Sequence, residues 1–273
     1  MRGATDPAGT RCGEAPDHID QGISVLPNRR PIPAGQRAPF WRLDAACSTG
    51  DTDGMPDEDV PDCCFDEWAA RNAKRARNRE TAAAITAALL SALAETGLEG
   101  RSVLDVGCGT GDLALAALGH GARSVSGFDL GAGAIANARA LADERGMAER
   151  AAFEVGDGSQ AALPRSDVVV LNRVVCCYPS AEALLANTLG AAGSVFALTA
   201  PIDRGLMGLY NRIFCWLGNG WYALRAKKFR GFRVFVHDLA AIEARIVAAG
   251  FLPRARQHRR LVWDLRVYER DTE

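Results

Sequence analysis

A glycine-rich turn follows a short apolar segment near the middle of the chain. Residues 103–106 (VLDV) predict a buried strand, residues 107–111 (GCGTG) the turn, and residues 112–118 a helix. Because glycine has no Cβ, this turn can take positive φ and lets a ligand lie against the backbone. The first amides of the helix face the same space, which favours a carboxylate group. Asp105 ends the strand and can accept hydrogen bonds from an ammonium group or organise the loop, so the turn predicts a site for the head of an amino-acid-like ligand.

Two further acidic residues are predicted to lie at the ends of neighbouring strands. Residues 124–130 (SVSGFDL) predict a second strand ending in Asp129, where a carboxylate can accept hydrogen bonds from both hydroxyls of a ribose. Residues 153–158 (FEVGDG) predict a third strand and a turn that contains Asp157, and Gly158 lets the backbone approach a flat ring. A single aspartate at a strand end is often only a turn former or a helix cap. Several of them beside a glycine turn favour a binding site.

The glycine turn and these aspartates resemble the cofactor-binding motifs of the class I S-adenosylmethionine-dependent methyltransferases, over about residues 98–270. The resemblance implies an enzyme of the α/β class with a doubly wound, seven-stranded, mostly parallel Rossmann-like sheet and an antiparallel last strand. It implies S-adenosyl-L-methionine as cofactor, with Asp157 accepting from the adenine amino group and catalysis mainly by proximity and orientation. The residues expected to bind the cofactor are Asp105, Gly107, Cys108, Gly109, Gly111, Asp129, Leu130, Asp157, Gly158 and Asn172.

Two other classes of protein could carry a glycine turn after a strand. A nicotinamide-dependent dehydrogenase of Rossmann fold needs a third small residue where this chain has Asp112, and an acid there would lie beside a pyrophosphate. A regulatory module could keep the nucleotide pocket without turnover. The strand, turn and helix could also be purely structural.

The remaining segments predict the alternation of helices and strands that this fold requires. Helices are expected over residues 134–145 and 239–249, the second capped by Asp238 and ended by Gly250. Further strands are expected over residues 167–171, 194–199, 251–257 and 261–268, of which the last two predict an antiparallel pair that closes the sheet.

The acceptor is expected to bind beside the segments that follow the fourth and fifth strands. Residues 172–179 (NRVVCCYP) are similar to segments of bacterial methyltransferases distantly related to magnesium-protoporphyrin O-methyltransferases, which favours methyl transfer to a carboxylate oxygen. The acceptor atom could equally be another oxygen, nitrogen, sulfur or carbon. Tyr178 is a candidate to orient the substrate, and His237 is a candidate general base, although a histidine at a helix start is often unremarkable.

A long insertion over residues 202–237 carries most of the aromatic residues of the C-terminal half. It predicts either a lid over an apolar substrate or helices that pack on the core. A membrane-surface contact through Arg225, Lys227, Lys228 and Arg230 is a third interpretation. The rings are Tyr210, Phe214, Trp216, Trp221, Tyr222, Phe229, Phe232 and Phe235.

Two pairs of adjacent cysteines raise a metal hypothesis. Cys63-Cys64 and Cys176-Cys177 could reach the same rim of the sheet and bind zinc or a thiophilic metalloid. Neighbouring cysteines lack the two-residue spacer of ordinary zinc knuckles, so we expect buried small residues and no metal.

Composition limits the remaining possibilities. A net charge of −1 over 273 residues argues against a general attraction to nucleic acid, and no apolar run approaches the roughly 20 residues that span a bilayer. We therefore expect a cytoplasmic protein with a small-molecule substrate and no stable membrane insertion, and we make no prediction of oligomeric state. Residues 1–60, rich in Pro, Gly and Asp, predict a disordered or loosely packed arm before a domain over residues 61–273. That domain opens with a helix over residues 66–95, whose cations between residues 71 and 79 are either a solvated face or a clamp for an acidic substrate.

Overall fold

The computed structural model describes residues 76–225, 232–259 and 262–271. The predicted arm over residues 1–60, the start of the helix predicted from residue 66 and Cys63-Cys64 lie outside these ranges. So do the side chains of the cations between residues 71 and 79.

Six α-helices and seven strands make up the described part of the chain. In chain order they are α1 (Ala76–Glu95), β1 (Ser102–Val106), α2 (Asp112–Gly119), β2 (Ser124–Asp129), α3 (Ala132–Glu144), β3 (Ala151–Val155), β4 (Ser166–Asn172), α4 (Ala181–Ala191), β5 (Ala192–Pro201), α5 (Gly205–Leu224), α6 (Leu239–Ala248), β6 (Phe251–Arg259) and β7 (Trp263–Arg270). Two short 3-10 helices, Ala148–Arg150 and Val175–Cys177, lie before β3 and after β4.

All seven strands form one sheet in the order β3-β2-β1-β4-β5-β7-β6. The pairs β1 with β2, β1 with β4, β2 with β3 and β4 with β5 are parallel. Strand β7 lies antiparallel between β5 and β6. The predicted seven-stranded, mostly parallel sheet with an antiparallel last strand is confirmed.

The central strands are buried on both faces, which explains why they are almost continuously apolar. On one face Val103, Val168 and Val195 pack with residues of α1, α2 and α3 in a single apolar cluster. On the other face Leu104 and Val169 pack with residues of α4 and α6 in a second cluster. The sheet therefore lies between two layers of helices, and the loops that follow its strands lie at its edges.

Strand order reverses beside β1, because β2 continues the sheet on one side and β4 on the other. In open α/β sheets, ligands bind outside the carboxyl ends of the strands at such a switch point. The turn over residues 107–111 leaves the carboxyl end of β1 and therefore lies at this position.

Element boundaries differ from the predictions mainly at strand ends. Strand β5 spans Ala192–Pro201 and β6 spans Phe251–Arg259, each longer than predicted, because backbone pairing with β7 continues past their apolar centres. The predicted cap is confirmed: the Asp238 carboxylate accepts from the amides of Ala240 and Ala241 at the start of α6. Within the described ranges, every helix is too short or too polar to cross a membrane.

Candidate active site

The three glycines of the turn after β1 all have positive φ, but for different reasons. A Cβ on Gly107 would lie 2.2 Å from Cγ2 of Val174, and a Cβ on Gly111 would lie 2.9 Å from Cζ of Phe153. A Cβ on Gly109 would meet no atom within 4 Å. Two of the glycines are therefore required by packing, whereas the third borders open space against which a ligand can lie.

Asp129, at the end of β2, holds this turn in place. One carboxylate oxygen accepts from the amide of Gly109 at 2.9 Å and the other from the amide of Gly131, also at 2.9 Å. The proposed contact of Asp129 with the hydroxyls of a ribose stays a prediction. Leu130 follows at the bend after β2 and is half-buried.

Asp105 is a buried acid at the end of β1. Its Oδ1 atom is buried and has no hydrogen-bond partner among the described residues. Burial is the main cause that raises the pKa of Asp105 to about 7, repulsion from Asp129 adds to it, and Arg173 opposes it. A buried carboxyl oxygen without a partner carries a desolvation cost, which a cationic ligand group placed against it would offset.

Asp157, in the turn after β3, is surrounded by donors. Its oxygens accept from the amide and hydroxyl of Ser159, from Nε2 of Gln160 and from the hydroxyl of Tyr178 at 2.9 Å. Burial, followed by the charge of Asp157, raises the pKa of the Tyr178 hydroxyl. Gly158 is fixed by packing, since a Cβ there would lie 2.2 Å from Cγ1 of Val106. Tyr178, which was predicted to orient the substrate, thus donates a hydrogen bond to Asp157, an acid that was predicted to bind the cofactor.

Asn172, at the end of β4, belongs to a small polar network. Its Nδ2 donates to Oγ1 of Thr86 on α1 at 2.9 Å, and its Oδ1 accepts from the hydroxyl of Thr199 on β5 at 3.0 Å. The same Thr199 oxygen accepts from the amide of Arg173 at 2.8 Å. The side chain predicted to contact the cofactor therefore joins α1, β4 and β5, and its contact with a cofactor stays a prediction.

Arg173 is the residue at this rim that the sequence predictions missed. It has a φ of 61°, the single positive φ outside glycine among the described residues. Its Nε atom is buried without a partner in the described part of the chain. Burial is the main cause that lowers the pKa of its guanidinium, and the nearby Cys176 and Cys177 oppose it. A strained backbone that carries a desolvated cation is typical of functional sites. The available signal was an arginine close after the apolar run over residues 168–171.

His237 lies close to the same rim. Its Nε2 is 2.9 Å from the carbonyl oxygen of Tyr178, and burial lowers the pKa of its imidazole. A neutral ring that donates through Nε2 leaves Nδ1 as its acceptor, so the predicted role as general base stays a prediction.

The cysteines near the rim are free thiols. Cys176 and Cys177 have their sulfurs 3.8 Å apart, both near the carbonyl oxygen of Arg173. A hydrogen bond with Cys176, together with burial, raises the pKa of Cys177. Cys108 is buried in the glycine turn, where burial raises the pKa of its thiol. Within the described ranges no group of three or more histidine, cysteine or acidic side chains could hold a metal ion.

The insertion over residues 202–237 is dominated by the single helix α5. Most of its rings face solvent: Tyr210, Phe214, Trp216 and Trp221 are exposed, whereas Phe232 after the helix is buried. The exposed rings do not pack on the core, and a lid over the acceptor stays a prediction. Arg225 is exposed, and Phe229, Lys227, Lys228 and Arg230 lie outside the described residues.

Comparison with known proteins finds similarity to methyltransferases. A family model described as a methyltransferase domain matches residues 103–191. A ribosomal protein L11 methyltransferase from Enterobacter sp. is 34% identical over 112 residues, which are 41% of this chain and 34% of that protein. The one from Pasteurella multocida is 40% identical over 87 residues, 32% of this chain and 29% of that protein. The chain thus matches only about a third of the length of these curated relatives.

Solved structures match more of the chain. Magnesium protoporphyrin IX methyltransferase from Synechocystis PCC 6803 with bound SAH aligns with a TM-score of 0.59 and 21% identity, over 76% of this chain and 94% of that one. A putative sarcosine dimethylglycine methyltransferase from Galdieria sulphuraria aligns with a TM-score of 0.55 and 12% identity, over 72% and 88%. At such identities the structures show the fold. Together with the domain match they confirm the resemblance to the class I methyltransferases and the predicted fold class.

Proposed function

We propose that this chain, built around a methyltransferase domain of the class I fold, transfers a methyl group from S-adenosyl-L-methionine to a small-molecule acceptor. The observation that carries the proposal is the unpartnered Oδ1 of buried Asp105, at the switch point of the sheet and beside the open space at Gly109. Such a site fits a ligand with an ammonium group at one end.

The acids at the rim fit the rest of this cofactor. Asp105 would hold the ammonium group, the first amides of α2 the carboxylate, Asp129 the ribose hydroxyls and the turn at Asp157 the adenine. When bound, S-adenosylmethionine supplies a methyl group on a positively charged sulfur. The protein's own part is to orient the acceptor and to exclude water. A dehydrogenase is disfavoured because exposed Asp112 begins α2, where a pyrophosphate would lie.

Arg173 supports an anionic acceptor, with a carboxylate oxygen as the methylated atom. Its buried Nε has no partner among the described residues, and a guanidinium pairs well with a carboxylate. A carboxylate is already ionised, so the acceptor needs no general base. This agrees with a His237 ring whose pKa is lowered and whose Nε2 faces the Tyr178 carbonyl.

A protein acceptor is the second candidate, because the curated relatives are named for ribosomal protein L11. A small molecule is favoured by the structural neighbour named for magnesium protoporphyrin IX, which covers far more of this chain. We also propose a cytoplasmic location, which is supported by free thiols at Cys108, Cys176, Cys177 and Cys215.

Titration calorimetry with S-adenosylmethionine, S-adenosylhomocysteine and NAD tests the cofactor. We expect the first two to bind at micromolar concentration and NAD to show no heat. NAD binding without binding of the sulfonium compound would overturn the proposal.

Methyl transfer from labelled cofactor to a panel of carboxylic acids, amines, thiols and ribosomal proteins tests the acceptor. We expect carboxylic acids to be methylated by the wild-type protein. Arg173→Met should raise the KM for the acid by about tenfold or more, as for a lost charge-assisted hydrogen bond, and Arg173→Lys should recover part of it. Methylation of ribosomal proteins alone would contradict the small-molecule assignment.

A further inference from the structure

Helix α5 has small and polar residues on the face that packs against the domain. Gly208 and Asn211 are its buried residues. A Cβ on Gly208 would lie 2.3 Å from the carbonyl carbon of Asp203, so the helix backbone approaches the chain closely there. Cys215 and Tyr222, further along the same face, are half-buried. The inner face therefore contains few of the large apolar residues that usually fill the core side of a helix.

Two asparagines fix the rotation of α5 about its axis. Asn211 donates through Nδ2 to the carbonyl oxygens of Ile202 and Val262, at 2.9 and 3.0 Å. Asn219 donates to the carbonyl oxygen of Val234 and accepts from its amide, both at 2.8 Å. These contacts pair partly buried backbone groups, so turning the helix would break these hydrogen bonds. The outward direction of the opposite face is thus built into the fold.

The opposite face is apolar along the whole helix. Leu206 is 81% exposed, Trp216 73% and Phe214 64%. At 3.6 residues per turn the exposed residues occupy a little under half of the helix circumference. They are Leu206, Leu209, Tyr210, Ile213, Phe214, Trp216, Leu217, Trp221 and Leu224. Soluble monomers rarely expose a continuous apolar surface of this kind.

The sequence of the segment that contains this face has cations and no acidic residues. No aspartate or glutamate occurs from residue 204 to residue 237, whereas the same segment has seven cations: Arg204, Arg212, Arg225, Lys227, Lys228, Arg230 and Arg233. Arg204 pairs with Asp203 and Asp238, the acids that flank the segment. The guanidinium of Arg225 lies 4.3 Å from the ring centroid of Trp221 at the end of the apolar face.

This combination selects one kind of partner. A second copy of the chain on the same face would bring like charges together, which opposes a two-fold interface. A helix with exposed Trp, Phe and Leu, in a segment whose charged residues are all cations, matches a surface of anionic lipids, where the rings enter the interface and cations meet the headgroups.

We infer that the outer face of α5 docks this protein onto the surface of an anionic lipid bilayer, with the helix lying in the plane of the interface. The inference goes beyond the methyl transfer proposed above and does not depend on it.

Flotation of the full-length protein with vesicles tests the inference. Vesicles of phosphatidylcholine alone are compared with vesicles that contain about half phosphatidylglycerol. We expect the protein to float with the anionic vesicles, to stay largely unbound with the neutral ones, and to be partly released by about 0.5 M salt, where surface charges are screened.

A pair of matched variants assigns the binding to α5. Leu209→Ser with Trp216→Ser should weaken binding to anionic vesicles by about tenfold or more through lost apolar burial. Val155→Ser with Leu252→Ser, which alters two exposed apolar residues elsewhere, should bind like the wild type. Circular dichroism and S-adenosylhomocysteine binding monitor folding of both variants.

Three outcomes would overturn the inference. The first is equal flotation of both variants, and the second is no flotation of the full chain with either vesicle. The third is a concentration-dependent dimer in sedimentation velocity that the α5 variant abolishes while the wild type ignores vesicles, which would make this face a protein interface.

Discussion

The rim formed by the ends of β1, β2 and β3 differs in construction from the rim formed by β4, β5 and α5. At the first rim the polar residues belong to short motifs at strand ends: the carboxylate of Asp129, which ends β2, accepts from the amides of Gly109 and Gly131. At the second rim helix α5 is held by asparagines that belong to no motif, such as Asn211, which donates to the carbonyls of Ile202 and Val262. The comparison shows that short motifs specify the rim proposed to bind the cofactor, whereas the rim proposed to bind the acceptor depends on how helix α5 is held.

The largest effect is expected within the glycine turn itself. Gly107→Ala should lower the free energy of unfolding by about 2–5 kcal/mol, because a left-handed alanine and a clash with Val174 add together. Gly109→Ala should be destabilised by only about 1–2 kcal/mol, yet lose cofactor affinity by about tenfold or more. Urea unfolding and calorimetry measure the two effects. An unchanged affinity in Gly109→Ala would show that the cofactor does not lie against Gly109.

Asp129→Ala tests whether the acid at the end of β2 serves the ligand as well as the loop. We expect cofactor binding to weaken by about 1–3 kcal/mol, the cost of an unsatisfied buried partner. Asp143→Ala is the matched control, since that acid is exposed near the end of α3, away from the strand ends. Equal affinity of Asp129→Ala and the wild type would remove the ribose assignment.

Asp105 predicts a dependence on pH. The pKa near 7 means that its carboxyl is largely protonated below neutral pH, so affinity for a cationic ligand group should rise about tenfold between pH 6 and pH 8. Asp105→Asn should bind more weakly and lose this pH dependence. Calorimetry over that range provides the measurement.

The same group has the opposite effect on the free protein. A carboxyl whose pKa is raised on folding contributes stability below its unfolded pKa of 3.8 that is lost as the pH rises through about 7. The unfolding free energy of the wild type should therefore fall relative to Asp105→Asn over this window. A constant difference between the two proteins would contradict the raised pKa.

The smallest effect on cofactor binding is expected at Tyr178, which could serve either the cofactor or the substrate. Tyr178→Phe removes the hydrogen bond to Asp157 and should weaken cofactor binding by about 0.5–1.5 kcal/mol, with little change in kcat. His237→Gln is the companion variant that tests the predicted general base. A fall in kcat at unchanged cofactor affinity in Tyr178→Phe would indicate that Tyr178 acts on the substrate, as the sequence predicted.

The sequence predicted the sheet, the glycine turn and Asp129 because apolar strands and the short motifs at their ends can be recognised in the residue pattern. It left the direction of α5 open, because a lid, a core helix and a membrane-surface contact all fit its rings. Buried Asn211 and the hydrogen bonds between Asn219 and Val234 hold the apolar face outward, and the residue pattern does not reveal these contacts. Arg173 was missed for a similar reason, because its burial depends on segments brought together only by the fold.

The hydroxyl of Thr199 links α1, β4 and β5 at the rim proposed to bind the acceptor. It donates to Asn172, whose side-chain amide donates to Thr86 on α1, and it accepts from the amide of Arg173. A shift of α1 along its own axis would therefore move the side chains of Asn172 and Thr199, and with them the backbone that orients the Arg173 guanidinium. Selectivity among acceptors would then respond to whatever pulls on that helix, at a distance from the cleft itself.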